Sequence, residues 1–573
     1  MKDNTQIDAI LAAVEDHGLL RSIHRIDDRT CEGEAVVEGR RAILRLDLGP
    51  SFPLALPRIL LRPWDALGFI PHVDANGVVC FADEEGLILD RRRPGHIATE
   101  AIERAIAVLS DGVSGRNRAD FADEFEAYWE RLVDGVAVIS VLDPPDDLRE
   151  IIIAIGDNKA LYVAADTNDI TAYNNGTATD GPLTYQKALY LPLTPGTLIV
   201  PPRFDRPCWS ADEARHALVS GLSDVNKANL RRLAKRRARW REYVIVRLPR
   251  PSGGESLFGI RYDEVGKTHP LLEGGTAKQL IPLRLRRHDR AYLVRRGGGD
   301  VDLGEMRVLL AGCGAVGGHL AIELARAGVS DLTLVDPDVL TPENTFRHAL
   351  GRSHWHRHKV DALKAAIDEQ LPYVRITAHA IPIEQALADG TIDLGEYDLV
   401  VLALGNPTVE LEVNTLLHAS EGHPPALFTW LEPLGIGGHT LLTTNAGDSG
   451  CFECLYTAPG GARALDNRAS FAAPGQSFGR ALSGCGTTHT PYGSVDAVRT
   501  SALAARLAID ALTGKERRGT LLSWKGDAAA FEAMGFRLSD RYRATDDELC
   551  GHRHTFKSPR CQICGGRDGG REQ

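Results

Sequence analysis

Apolar residues at Ile7, Ile10, Leu11 and Val14 fall at helical spacing and predict a short amphipathic helix at the start of the chain. Apolar runs at 35–37 and 42–46 then predict strands, and a proline-punctuated loop over 51–57 interrupts them. Helical periodicity returns over 96–109 and 119–132, and Asp143-Pro144-Pro145-Asp146-Asp147 reads as a boundary. Between about 150 and 290 the pattern is broken into short β-like runs at 151–155, 198–200 and 243–246. Asn174-Asn175-Gly176 supplies a turn signal for a hairpin there. After the glycine-rich stretch at 297–299, strand patterns at 307–311, 332–335, 375–379 and 399–403 alternate with helical ones at 315–327, 360–371 and 407–419. Alternation of this kind predicts a doubly wound, mostly parallel α/β sheet, followed by an Ala-rich helix over 495–512. The expected organisation is an N-terminal α+β domain over 1–145, a middle linking or adaptor domain over 146–295, and the α/β domain over 296–573.

Length changes little in this picture, since 573 residues exceed what one core can bury and call for about two to four domains. Charge excludes more. A formal net charge of −11 gives no general field for nucleic acid, so no nucleic-acid partner is expected. The basic run over 231–241 reads as a solvated helix face, with a docking surface for an acidic partner as the other reading. No apolar run reaches membrane-spanning length and the first residues hold no apolar signal core, so a cytoplasmic protein without a membrane partner is expected.

Ten cysteines are present, and four of them form two C-x-x-C pairs, Cys451/Cys454 and Cys561/Cys564. Each such turn brings two thiolates to one point, and two turns complete a tetrahedral Zn²⁺ site of the closed, structural kind. Free thiols are the plainer alternative. Cys485 stands between glycines in Ser483-Gly484-Cys485-Gly486, an open backbone that suits an approachable nucleophile as well as a small buried thiol. Cys550 competes for that role, and Cys313 reads as a small residue chosen for space.

Cys313 lies within Gly312-x-Gly314-x-x-Gly317, which follows a predicted strand and opens a predicted helix. Glycines there permit a tight turn and let phosphates approach the free N–H groups of the helix N-terminus. Asp336 at the end of the next strand can hydrogen-bond a ribose hydroxyl. These features alone fit an NAD-dependent oxidoreductase equally well. Asn344-Thr345-Phe346-Arg347-His348 and then Lys359 follow, and the whole resembles the adenylating domain of the ThiF/MoeB and ubiquitin-activating family. The resemblance implies ATP as substrate, Asp336 on the ribose, and Asn344, Arg347 and Lys359 around the phosphates. It also implies Mg²⁺, a homodimer, and a zinc site joining the two knuckles. The family's Asp-Asn pair after the 399–403 strand, whose Asp binds Mg²⁺, is matched here by Gly405-Asn406, with a later family asparagine at Asn414. The metal-binding carboxylate must then come from elsewhere, and Glu432 is one candidate, an ordinary loop carboxylate being the other reading.

The N-terminal region carries a second resemblance. Ser51-Phe52-Pro53 through Pro57, and Val73-Asp74-Ala75-Asn76-Gly77-Val78-Val79-Cys80-Phe81, resemble the proline loop and the active-cysteine stretch of ubiquitin-conjugating domains. That implies Cys80 as a thioester cysteine. His72 stands where the family has its oxyanion-stabilising asparagine, and reads as a hydrogen-bond donor, a base, or a packed loop histidine. A conjugating domain, a linking domain and an activating domain in one chain resemble the fused activating–conjugating proteins of bacterial CBASS anti-phage systems. The implied chemistry is adenylation of a protein's C-terminal carboxylate, capture as a thioester on Cys485, passage to Cys80, and ligation to a target amine. The implied modifier is a cGAS-like nucleotidyltransferase, or else a small ubiquitin-like protein. A zinc-containing scaffold without catalysis is the remaining alternative.

Overall fold

The computed structural model describes residues 4–132, 134–156, 160–174, 182–235, 239–420, 422–446, 449–458, 460–481 and 488–565. It divides into two compact units, one of residues 1–170 and 179–288, the other of 171–178 and 289–573.

The first unit opens with the helix Asn4–Asp16 and a four-stranded antiparallel meander, Arg21–Arg25, Thr30–Val37, Arg40–Asp47 and Arg58–Arg62. Burial alternates residue by residue along Thr30–Val37, as a half-buried strand requires. The buried side, with Leu44, Leu46, Ile59 and Leu61, packs on Ile102, Ala105 and Leu109 of the helix Pro94–Ser114. Pro94 starts that helix where a missing N–H costs nothing, and Gly115 at φ +77° ends it in a left-handed turn.

The helix expected over 119–132 is broken in two, Asp120–Asp123 and Phe125–Glu130, at Glu124 (φ −96°, ψ 8°). The break serves two cores. Phe125 and Trp129 enter an aromatic cluster with Trp209 and Phe258, and Trp129 donates from Nε1 to Leu283 O at 3.1 Å. Phe121 and Tyr128 instead join Phe69, and Phe204 stacks on Tyr128 with ring centroids 5.6 Å apart.

The middle region forms a closed barrel rather than a loose linker. Its strands run in the order Glu255–Asp263, Gln279–Arg287, Val136–Ser140, Leu161–Ala164, Arg149–Ile155, Thr184–Pro192 and Arg241–Pro249. Val138, Ile151, Ile153, Tyr190, Tyr243 and Leu283 form one of its cores. Val136–Ser140 precedes the Asp143–Asp147 boundary and still belongs to the barrel, because it pairs in parallel with Gln279–Arg287. The run at 198–200 is not a strand; Pro195, Pro201 and Pro202 flank it and cannot donate to a ladder. The turn signal at 175–176 lies outside the described residues. Arg231 and Arg232 occupy the last turn of the helix Asp224–Ala234, where cations complement the helix dipole, and the run then ends as Arg241 opens a strand.

The second unit is the doubly wound sheet. Strand order is Arg375–His379, Asp331–Val335, Arg307–Ala311, Leu399–Leu402, Ala426–Leu431, Gly437–Thr443 and Thr520–Lys525. The first five pair in parallel, and Gly437–Thr443 runs antiparallel to its neighbours on both sides. Order reverses beside Arg307–Ala311, and a crevice at such a switch point is where these sheets bind ligands. Ala315–Ala327 covers one face together with the helix Ser494–Leu512, where Ala504 and Ala508 are fully buried. Ser501 Oγ donates to Val316 O at 2.7 Å and ties this late helix to the start of the earlier one.

Candidate functional sites

In the first unit the chain after Arg58–Arg62 folds back against that strand. Asp74 Oδ1 accepts the N–H groups of Asn76 and Val78 at 2.8 and 2.9 Å, which shapes the Asn-Gly turn. Gly77 sits at φ +81°, and a Cβ there would strike Leu61 O, so the position demands glycine twice over. Leu61 N–H donates to Gly77 O at 2.7 Å and Val79 N–H to Ile59 O at 2.8 Å. The clamp delivers Cys80 to the surface, where it is exposed, with its N–H donating to His72 O at 2.8 Å.

His72 is held from both sides. Nε2 lies 2.7 Å from Asp120 Oδ2 and Nδ1 lies 2.8 Å from Glu124 Oε1. The carboxylates reach it because the helix breaks at Glu124. Cys80 Sγ, a His72 ring nitrogen and a Glu124 oxygen all fall within 4.8 Å of one another. Hydrogen bonding to Cys80 and then to Glu124 and Asp120 outweighs burial and pushes His72 up from 6.5 to about 11. The protonated, donating form of the ring is the one these partners favour. A cavity of about 350 Å³ opens here, walled by Cys80, His72, Glu84, Glu124, Tyr128 and Arg131. Asp120 and Glu124 were not legible as site residues, since nothing in a helical pattern announces a break.

In the second unit the glycine loop occupies the switch point. Gly312 lies at φ +92°, and a Cβ on it would strike Ala403 O; one on Gly317 would strike Gly312 O. Asp336 accepts the Cys313 N–H at 2.7 Å and the Asp338 N–H at 2.8 Å, and burial raises its carboxyl above the ordinary range while Lys359 opposes. Lys359 Nζ is 2.6 Å from Asp338 Oδ2. Cys313 is wholly buried, as a residue chosen for space should be. His348 clips the loop from outside. Its Nε2 lies 2.8 Å from Cys313 O while Nδ1 accepts the Leu350 N–H at 3.0 Å, and burial lowers it to about 4.

Asn344 caps the turn that carries Arg347, its Oδ1 accepting the Thr341 N–H at 3.0 Å. Arg347 lies over the Tyr492 ring, 5.2 Å from its centroid. A cavity of about 660 Å³ is lined by Gly314, Arg347, Gly405, Glu410, Asp466 and Tyr492, among others. Gly314 and Arg347 thus stand on its wall. Gly312, Gly317, Asp336, Asn344 and Lys359 shape or brace the loop beside it, and Asn406 caps the helix Pro407–Ala419. Gly405 sits at φ +64° with no atom within 4 Å of a would-be Cβ.

Glu432 also lines the cavity, but its Oε1 accepts the Phe471 N–H at 2.9 Å and pairs with His439 Nε2 at 3.1 Å. Both contacts use Oε1, which braces the 471 segment. Glu410, which carried no sequence signal beyond a charge on a helix, is the more deeply set acid, 2% exposed.

The four knuckle cysteines converge, buried, with Cys451 and Cys561 sulfurs 3.6 Å apart and Cys454 and Cys564 sulfurs 3.3 Å apart. Such spacing is far longer than the ~2.05 Å of a disulfide and suits four donors around one ion. Cys550 is exposed on the short helix Asp546–Gly551, with Arg553 Nη1 3.0 Å from its sulfur. Cys485 lies outside the described residues.

Two family models match, Prokaryotic E2 family B over residues 19–138 and the ThiF family over 288–541. A curated relative from Pseudomonas aeruginosa, "ATP-dependent ubiquitin transferase-like protein Cap2", is 26% identical over 82% of this chain and 85% of its own length. "Adenylyltransferase and sulfurtransferase MOCS3" of Sus scrofa is 29% identical over 45% of this chain and 50% of that protein. Among solved structures, Escherichia coli MccB with ATP aligns over 48% of this chain and 70% of that one, with 15% identity and a TM-score of 0.33.

Proposed function

From a chain that joins a prokaryotic E2-like domain to a ThiF-family domain, we propose an enzyme that activates a protein's C-terminal carboxylate with ATP and conjugates it to an amine. One observation carries the reading: the chain that holds the glycine loop and Arg347 also presents an exposed Cys80 against a histidine clamped by two carboxylates.

In the first step the modifier's carboxylate oxygen attacks the α-phosphorus of ATP, forming the acyl-adenylate and releasing pyrophosphate. Arg347 on the cavity wall offsets charge on the phosphates, and the helix N-terminus at Gly314–Ala315 presents N–H groups to them. A thiolate then attacks the acyl carbon and AMP leaves; Cys485 is assigned this role, with Cys550 as its competitor. Transfer to Cys80 exchanges one thioester for another. Finally the target amine attacks the Cys80 thioester, an amide forms, and the thiol is regenerated. In both steps at Cys80 the tetrahedral intermediate bears an oxyanion, and His72, whose carboxylate neighbours favour its protonated form, is assigned as the donor that meets it.

Magnesium, when bound, neutralises phosphate charge; this cavity offers it hard oxygen donors in Glu410 and Asp466. Cys451, Cys454, Cys561 and Cys564 would hold a structural zinc ion, an all-sulfur buried set that suits it. The proposed modifier is the C-terminus of a cGAS-like nucleotidyltransferase in a CBASS setting, with the enzyme a cytoplasmic homodimer. No helix among the described residues is long and apolar enough to cross a membrane.

Exchange of labelled pyrophosphate into ATP tests the activation step. The full chain should catalyse exchange only with the correct modifier present, and Gly317→Val should abolish it. A ubiquitin-like protein that supports exchange where the nucleotidyltransferase does not would reassign the modifier. NAD binding with no exchange for any modifier would replace the reading by an oxidoreductase.

A further inference from the structure

Gly405 lines the proposed nucleotide cavity and offers it no side chain. Its φ of +64° and the empty space around a would-be Cβ show that the loop turns there for conformational reasons. One helical turn on, Glu410 folds back against the same backbone. Its Oε1 accepts the N–H groups of Leu404 and Gly405, both at 3.2 Å. Among the described residues Oε2 receives no donor, and the residue lines the cavity while being 2% exposed.

A buried carboxylate with one oxygen fixed and the other unmatched is costly unless a cation or a proton meets it. The other acids on the wall differ. Glu432 also bonds through Oε1 alone, but to the Phe471 N–H and the His439 ring and not to the loop at Gly405, and Asp466 is exposed on a loop with no element to hold it.

We propose that Glu410 is the protein carboxylate that ligates the divalent cation accompanying ATP, through the oxygen that faces the cavity. Magnesium keeps several waters and takes only one or two protein carboxylates beside substrate phosphates, so a single fixed acid suffices. The proposal rests on the adenylation reading above, and the test separates the two.

The full chain is titrated with a non-hydrolysable ATP analogue across a magnesium series, and with Mn²⁺ plus the analogue by electron paramagnetic resonance. Glu410→Gln keeps an acceptor for both N–H groups and removes only the charge. In the wild type, magnesium should tighten the analogue by about tenfold or more, and Mn²⁺ should show a bound spectrum that needs the nucleotide. In Glu410→Gln the metal dependence should fall to about twofold or less and the bound Mn²⁺ signal should disappear, with metal-free affinity and melting temperature kept; Glu410→Asp should restore part of the dependence. Full metal dependence in Glu410→Gln, or its loss in Asp466→Asn or Glu432→Gln instead, overturns the proposal. A wild type that binds no analogue at any metal concentration overturns the adenylation reading itself, and this inference with it.

Discussion

At the scale of single residues the decisive feature is a histidine whose surroundings favour its protonated form. Asp120 and Glu124 bracket His72, and its protonated form is the one the site stabilises. We expect His72→Ala to slow discharge of a Cys80 thioester by ~10²-fold, the usual loss when one oxyanion donor is removed. The measurement is a single-turnover chase with a model amine. Because the folded pKa is raised, the pairing contributes its full stability below the ordinary 6.5 and loses it as pH rises toward about 11. Calorimetry should accordingly show Asp120→Asn/Glu124→Gln melting below the wild type at neutral pH, with the gap closing by about pH 11. Cys80 was singled out by the resemblance of its segment to conjugating domains and not by its neighbours, since Val78, Val79 and Phe81 alone would suit a buried thiol, and it lies exposed. Glu410 and the two carboxylates were not, since their roles depend on where a backbone bends back, which no residue spacing records.

At the scale of elements, periodicity located the strands and helices of the second unit almost residue for residue: 307–311, 375–379, 315–327 and 407–419 all stand as read. Parallel strands buried on both faces and helices with long apolar stripes leave little room for another register. The middle region was harder. Its barrel is closed by pairings between segments more than a hundred residues apart, such as Gln279–Arg287 with Val136–Ser140, and local pattern cannot see them. The broken segment over 120–130 was harder still, because both halves are apolar enough to read as one helix. It predicts a coupling. Trp129, 1% exposed and bonded to Leu283 O, anchors the half beyond the break, so Trp129→Ala should cost ~3–5 kcal/mol by denaturant unfolding. The same variant should slow Cys80 discharge, since it loosens the segment that carries Asp120 and Glu124; Phe452→Ala, in the other unit, should destabilise without that effect.

At the scale of the whole molecule, the four knuckle cysteines join two stretches of the second unit, 451–454 and 561–564, across about a hundred residues. Elemental analysis should find one zinc per chain, and Cys561→Ser should release it and lower the melting temperature of that unit. The second unit takes in 171–178 and then runs from 289, against an expected domain edge at 296. In the proposed reaction a single acyl group joins the two chemistries and must pass through Cys80. The most direct measurement is intact mass spectrometry of the full chain after incubation with ATP, magnesium and the modifier, followed by peptide mapping without reductant. The account predicts a thiol-labile adduct of the modifier's mass on Cys80, with Cys80→Ala retaining an adduct on the activating cysteine alone. An adduct that forms without ATP, or one that never reaches Cys80 in the wild type, would contradict it.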